Sequence, residues 1–458
     1  MVELKNIRRI YFLGIGGIGM SALARYFKAK GVAVSGYDKT ATALTVQLVK
    51  EGIEVHFEDE LKFIDKGAEL VVYTPAIPED HRGLNYYLNN NYKVVKRSDV
   101  LGVLTNSSFN ICIAGTHGKT TTSTMVAHIL RHSGYGCNAF LGGIAVNYNS
   151  NFWMQEKDSN SEKETCVVEA DEYDRSFLKL NPDIAVITAM DPDHLDIYGT
   201  AENVEQAFLD FAARLKPGGM LLSKYGLKRN DDLKAEHHIS YHLNNEKANV
   251  YADNIKMSNG SYCFDVMMKD RRLKDVFLNM GGMHNIENMV AAITIASHLE
   301  IDSGKIKNAV AGFRGIKRRF EYIVKNEEQV YIDDYAHHPG ELEVLINGAK
   351  SLFENKKCTV VFQPHLFSRT RDFADGFAES LDLADEVILL PVYPAREQPV
   401  EGVNSEMIIN KMKIKNKQVL KKEEMAAWIK NNKTQLLITA GAGDIDTLVE
   451  PIKKILEN

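Results

Sequence analysis

No run in this chain is long and apolar enough to cross a bilayer, and no two cysteines form a C-x-x-C pair. The first absence excludes a membrane-spanning helix, and the second excludes the commonest zinc and redox-dithiol arrangements. The five cysteines (Cys112, Cys137, Cys166, Cys263 and Cys358) lie far apart, three of them in the apolar runs NICIAG, ETCVVEA and KKCTVVF. Buried free thiols in a reducing compartment are expected. Positive charge is not in excess: 55 Lys and Arg stand against 61 Asp and Glu, a net charge of −6. A general nucleic-acid or membrane-surface binder would need a basic face, so neither partner is expected. Low-complexity tracts and short repeats are missing too, and 45% hydrophobic with 25% charged residues is ordinary for a globular protein. The N-terminal stretch MVELKNIRRIYFLGIGG has apolar residues for only one strand before a glycine turn, so a cytoplasmic protein without a signal peptide is expected.

What is present is two glycine-rich turns. A length of 458 residues suggests about three domains. The run Ile113-Ala114-Gly115-Thr116-His117-Gly118-Lys119-Thr120-Thr121-Thr122 sets a glycine-flanked lysine and hydroxyls between an apolar strand, Ile111–Ala114, and a helix expected over Thr120–Ser133. Backbone N–H groups of such a turn and the helix N-terminus converge on phosphate, Lys119 adds a point charge, and Thr120 offers a ligand to Mg²⁺. Position 113 holds Ile where the longest phosphate-loop pattern has glycine, so the match is to the shorter form G-T-x-G-K-T. The bland alternative is a strand-to-helix turn whose lysine is merely solvated.

Earlier in the chain, Gly14-x-Gly16-x-x-Gly19 follows a strand (Arg9–Leu13), opens a helix (Met20–Lys30) and precedes a second strand (Val32–Tyr37) that ends at Asp38. Those are the positions of a dinucleotide fingerprint: tight turn, close approach to a pyrophosphate, and a carboxylate for a ribose hydroxyl. A nicotinamide cofactor for hydride transfer is one reading, and a glycine turn that only packs helix on sheet is another. A diphosphate substrate such as a UDP-sugar would account for both glycine loops, with Thr74 and Ala76 in Thr74-Pro75-Ala76-Ile77-Pro78 at a strand end where that ligand would bind.

Acidic and imidazole groups close further strands. Cys166–Glu169 leads into Ala170-Asp171-Glu172, and Ala185–Thr188 leads into Asp191-Pro192-Asp193-His194. Carboxylates at strand ends are often only solvated, but beside a phosphate loop Glu169 and His194 are candidates to hold Mg²⁺. A helix is expected over Val204–Leu215, antiparallel strands over Lys247–Met280 and an Ala-rich helix over Asn285–Leu299. The last third returns to strands at Val330–Asp333, Cys358–Phe362, Val387–Leu390 and Leu436–Thr439. There Asp333-Asp334-Tyr335-Ala336-His337-His338 and Gln363-Pro364-His365-Leu366-Phe367-Ser368-Arg369 suit a substrate carboxylate and ribose better than a transition metal.

In order along the chain, GIGGIGMSALA, GTHGKTTT, EADEYD, DPDHLD, GMHNIENMVAA, GIKRRFE, DDYAHHP, FQPHLFSRTRD and GAGDI resemble the Mur ligases over essentially the full length. The resemblance implies an α/β protein of three domains, each built around a mainly parallel sheet. Residues 1–106 would form a Rossmann-like UDP-sugar domain, 107–317 a P-loop ATPase-like domain, and 318–458 a Rossmann-like amino-acid domain. Gly16, Gly17, Ile18, Gly19, Asp38, Thr74 and Ala76 would face the UDP-sugar. Gly115, Thr116, His117, Gly118, Lys119, Thr120 and Thr121 would hold ATP, with Asn288, Arg319 and Asp334 about the adenosine and Thr120, Glu169 and His194 about Mg²⁺. Tyr335, His337 and Arg369 would lie near the amino acid, and Lys119, Glu169, His194, His337 and Arg369 would carry the catalysis. The implied reaction is ATP-dependent joining of L-alanine to the lactyl carboxylate of UDP-N-acetylmuramate through an acyl phosphate, the first step of peptidoglycan stem assembly.

Two positions depart from the family pattern, Ala189 where many relatives have Asn and Leu366 where many have Arg. No lysine is placed as the carbamylated lysine of the members acting on later stem residues. The competing expectations are a recycling ligase that adds a preformed tripeptide to the same UDP-sugar, an NAD-dependent oxidoreductase and a silent nucleotide sensor. Self-association as a homodimer is left open.

Overall fold

Strand and helix alternate from Arg9 onward because short, wholly apolar runs are interleaved with amphipathic stretches. The computed structural model describes residues 4, 6–156, 158–161, 163–395 and 397–457. A first sheet contains β1 (Arg9–Leu13), β2 (Ala33–Tyr37), β3 (Glu54–His56), β4 (Leu70–Tyr73) and β5 (Val94–Lys96) in the order β3-β2-β1-β4-β5, all parallel. Ile10 to Leu13 are buried without alternation, as expected of a central parallel strand covered on both faces. The strand order reverses between β1 and β4, and that switch point opens a crevice beyond their carboxyl ends.

A ten-stranded sheet follows, made of β6 (Phe109–Ala114), β7 (Asn138–Ala145), β8 (Ser150–Trp153), β9 (Thr165–Glu169), β10 (Ile184–Ile187), β11 (Met220–Lys224), β12 (His237–His242), β13 (Val250–Ser258), β14 (Ser261–Met268) and β15 (Arg271–Leu278). Its order is β15-β14-β13-β12-β11-β10-β6-β9-β7-β8. β6 pairs in parallel with β10 on one side and β9 on the other, Ile113 facing Glu169 and Ala114 facing Ile187. The loop after β6 therefore lies between the ends of two strands that bear candidate ligands.

The third sheet is built from β16 (Glu321–Lys325), β17 (Val330–Asp334), β18 (Cys358–Phe362), β19 (Glu386–Leu389), β20 (Lys417–Val419) and β21 (Leu436–Ala440), ordered β16-β17-β21-β18-β19-β20. Only β16 runs antiparallel. Asp334 and Phe362 both sit in register with Ala440, so three strand ends meet there.

By internal packing the chain divides into two compact units, residues 1–252 with 266–273 and 287–310, and residues 253–265 with 274–286 and 311–458. Among the described residues no helix is long and apolar enough to cross a membrane. Four of the five cysteines are buried, Cys263 is half-buried, and all are free thiols.

Candidate functional site

In the first unit, the turn after β1 is drawn tight by Gly14 and Ile15 N–H groups donating to Tyr37 O at 2.8 and 3.0 Å. Gly14 has φ +85°, and a Cβ there would come within 2.7 Å of Thr74 Cγ2. Asp38 Oδ2 accepts the Gly16 N–H at 2.7 Å, so this carboxylate shapes the loop. The following helix, Ile18–Ala29, starts from Gly17 with no side-chain cap, which leaves its first N–H groups for a ligand. A cavity of about 780 Å³ opens at this turn, within the size range of small-molecule sites. Gly17, Ile18, Gly19, Asp38, Thr74 and Ala76 line it, whereas Gly16 lies behind, held by Asp38. At its other end the cavity reaches Glu169 and Asp171.

Glu169 is where this cavity meets the phosphate loop. Its Oε1 accepts the Thr120 hydroxyl at 2.9 Å and its Oε2 accepts the Gly142 N–H at 2.9 Å. Burial raises its pKa, opposed by Lys119 and by the Thr120 hydrogen bond. The loop is strained into shape by glycine: Gly115 has φ +135° and any Cβ there would overlap Thr188 Oγ1. Gly118, at φ +82°, precedes the helix Lys119–His132, and a Cβ on it would approach Asn288 Oδ1 to 2.9 Å. Thr116 N–H donates to Ala189 O at 3.3 Å and its hydroxyl accepts the Asp191 N–H at 3.1 Å, so Ala189 contributes through its backbone. His117 is exposed, 3.9 Å from Asp191, and Thr121 is buried in the first helical turn. Asn288 accepts the Thr122 hydroxyl at 3.2 Å, behind the loop.

Lys119 Nζ donates to Gly115 O and to Glu172 Oε1, both at 2.7 Å. Glu172 is 1% exposed, and burial raises its pKa against the pull of Lys119. His194 sits at φ +53°, with Nε2 4.0 Å from Glu172 and 3.6 Å from Asp193. Sequence reasoning missed Glu172 as a partner of the loop lysine, although EADE displays it three residues after Glu169. Among the described residues no three His, Cys, Asp or Glu side chains converge as a metal cage. Mg²⁺ does not require one, since it keeps waters and binds through one or two carboxylates plus substrate phosphates. The Thr120 hydroxyl and the Glu169 carboxylate, bonded to each other at 2.9 Å, are hard-oxygen donors that fit it.

The second unit carries the remaining candidates. Asp334 accepts the Phe320 and Ala336 N–H groups, both at 2.7 Å, and burial raises its pKa. Arg318, not Arg319, is the residue drawn inward: it lies 3.5 Å from buried Asp333, donates to Gly441 O and stacks over Tyr335 at 5.0 Å. Arg319 covers the same ring at 5.8 Å. His337 Nδ1 lies 2.9 Å from Tyr335 O and its ring 6.3 Å from that of His365. Burial lowers its pKa first, with Glu341 opposing. Among the described residues Arg369 Nη1 is buried without a hydrogen-bond partner, and Leu366, the N-cap of the helix Phe367–Asp372, stands at φ +69°.

Residues 9–108, 113–296 and 318–445 match, in that order, the family profiles described as Mur ligase family, catalytic domain; Mur ligase middle domain; and Mur ligase, glutamate ligase domain. The UDP-N-acetylmuramate--L-alanine ligase of Flavobacterium johnsoniae is 46% identical over 459 residues, covering 99% of each chain. That of Parabacteroides distasonis is 47% identical over 460 residues, covering 99% of this chain and 98% of its own. Among solved structures, the UDP-N-acetylmuramate-alanine ligase of Thermotoga maritima aligns with a TM-score of 0.83 at 28% identity, covering 98% of both chains. A murein peptide ligase of Psychrobacter arcticus shares the fold, with a TM-score of 0.69 at 22% identity over 98% of this chain and 99% of its own.

Proposed function

The chain belongs to the Mur ligase family, and from that membership we propose that it joins L-alanine to the lactyl carboxylate of UDP-N-acetylmuramate at the expense of ATP, in the cytoplasm. It is an ATP-dependent amide-bond ligase. One observation carries the choice of substrate: the cavity that begins at the glycine turn of the first sheet ends at Glu169, which is bonded to the phosphate-loop hydroxyl of Thr120. A sugar diphosphate seated on the Ile18–Ala29 helix would present its acid group to a nucleotide on the Lys119–His132 helix. The family profiles break near residues 108–113 and 296–318, in keeping with domains at 1–106, 107–317 and 318–458.

The chemistry follows from charge. The lactyl carboxylate attacks the γ-phosphorus of ATP, the bond to the β–γ bridging oxygen breaks, and ADP leaves an acyl phosphate. The amine of alanine then attacks the activated carbonyl, loses a proton and expels inorganic phosphate. Lys119 can turn from Glu172 toward the phosphates, while Thr120 and Glu169, with His194 nearby, would hold Mg²⁺. That ion supplies neutralisation of phosphate charge when bound. In the second unit Arg319 and Asp334 are assigned to the adenosine, and Tyr335, His337 and Arg369 to the amino acid, where Arg369 Nη1, without a hydrogen-bond partner among the described residues, suits a carboxylate.

The test is phosphate release with UDP-N-acetylmuramate, ATP and Mg²⁺ against a panel of L-alanine, L-serine, glycine and the stem tripeptide. One phosphate per amide with alanine, and none with tripeptide, is expected. Release with tripeptide alone would move the assignment to the recycling reaction, and no release with any acceptor would refute it.

A further inference from the structure

The wall of the cavity holds a cation that the proposed function has not used. Arg97 follows β5 directly as the first residue of the helix Arg97–Asn106, and its side chain is 24% exposed. The guanidinium lies against the first turn of the Ile18–Ala29 helix, so that any Cβ on Gly19 would overlap it. On its other side Asp171 Oδ2 stands 3.8 Å from Nη2, and among the described residues the guanidinium has no hydrogen-bond acceptor. A guanidinium carries five donors in a fixed fork. Left with one loose, half-exposed carboxylate, and facing an uncapped helix N-terminus without acidic residues in its first turn, it is positioned for a stronger anion.

We propose that Arg97 binds an oxyanion of the sugar-nucleotide substrate, exchanging Asp171 for it and acting together with the N–H groups of the Ile18–Ala29 helix. This rests on the ligase reading above. It also explains Gly19 locally: the third glycine of the turn is the one that lets this guanidinium reach the helix end. The oxyanion is either the diphosphate or the lactyl carboxylate, since both are delocalised acids that a planar fork can grip.

Calorimetry on the full chain, with UDP, UDP-N-acetylglucosamine and UDP-N-acetylmuramate as titrants, tests this together with steady-state kinetics. Arg97→Gln should weaken UDP-N-acetylmuramate at least tenfold and raise its KM while leaving KM for ATP unchanged, and Arg97→Lys should recover part of the loss. A loss shared by all three titrants assigns the diphosphate, and a loss confined to the muramate assigns the carboxylate. Asp171→Asn, which removes the competing acid, should tighten the same ligand. Unchanged affinity for every titrant in Arg97→Gln, or a fall in kcat alone, would overturn the proposal, as would weaker binding in Asp171→Asn. Failure of the unaltered protein to bind UDP-N-acetylmuramate would instead strike the ligase reading.

Discussion

Glu172 occupies the place where a phosphate loop would otherwise leave its lysine in solvent. Its Oε1 holds Lys119 at 2.7 Å, its Oε2 is buried without a hydrogen-bond partner among the described residues, and the residue is 1% exposed. Such a pair is poised and costly to break, because removing one member leaves the other charge uncompensated in a poorly solvated place. Lys119→Met should abolish phosphate release and also destabilise the protein by roughly 3 kcal/mol at neutral pH. The sign of the pH dependence is fixed by Glu172. Its folded pKa is already raised, and losing Lys119 raises it further, so the variant's deficit should grow as pH rises and shrink toward pH 5. Lys119→Met with Glu172→Gln should then recover stability without activity, as read by denaturant titration beside a phosphate assay. A deficit independent of pH would show that the pair contributes nothing of this kind.

At the scale of elements, the helix Ile18–Ala29 forms the cavity's anion-facing wall and must keep its place relative to the phosphate loop. Asn151 on β8 is fully buried and donates to Ile18 O and, at 3.0 Å, to Ser21 Oγ. It also accepts from Arg25, which is paired with Glu51 at 2.8 and 2.9 Å. Asn151→Ala leaves the buried Arg25 Nη1 without the amide oxygen it bonds, a cost of about 1–3 kcal/mol. More tellingly, it should raise the ratio of phosphate released to amide formed, because a tilted helix presents the acid group badly while ATP still binds. A ratio fixed at one would reduce Asn151 to a stability residue. This clasp was not legible in the sequence, for NYNSNFW reads as a polar turn and NAFLGGIA, with its paired glycines, does not announce β7. By contrast β1, β6, β9 and β18 were legible because a buried parallel strand needs four or five apolar residues in a row, and both glycine turns because positive φ demands glycine. Arg97 and Glu172 escaped for a different reason. A local pattern places a side chain at a strand end but does not say which distant charge it will meet.

Across the whole molecule, the two compact units differ in the sign of their buried titrations. The first holds His56, His81, His128, His238 and His298, all with pKa lowered by burial, His128 to about 4. These stay neutral when folded but protonate when unfolded, so they withdraw stability as pH falls below 6.5, for His128 by roughly 3 kcal/mol once pH reaches its folded value. Glu169 and Glu172, raised by burial, offset part of this. In the second unit the balance between pH 7 and 5 is reversed: Glu321, Asp333 and Asp334 are raised by burial, Asp333 to about 7, against a lowered His337, while Lys325, lowered by burial to about 8, and Asp444, lowered against its burial by the bond from Lys422, titrate outside that range. A carboxyl with raised folded pKa takes up its proton in the native state first, so stability there increases as pH falls from 7 toward 4. Acidification from pH 7 to 5 should therefore separate one thermal transition into two, the first unit melting earlier. Each unit carries one of the two tryptophans, Trp153 and Trp428, so Trp153→Phe and Trp428→Phe assign each fluorescence transition to its unit. Scans in which the Trp153 signal holds its midpoint at pH 5 while the Trp428 signal falls would reverse the assignment, and would place the decisive acid-sensitive groups in the second unit.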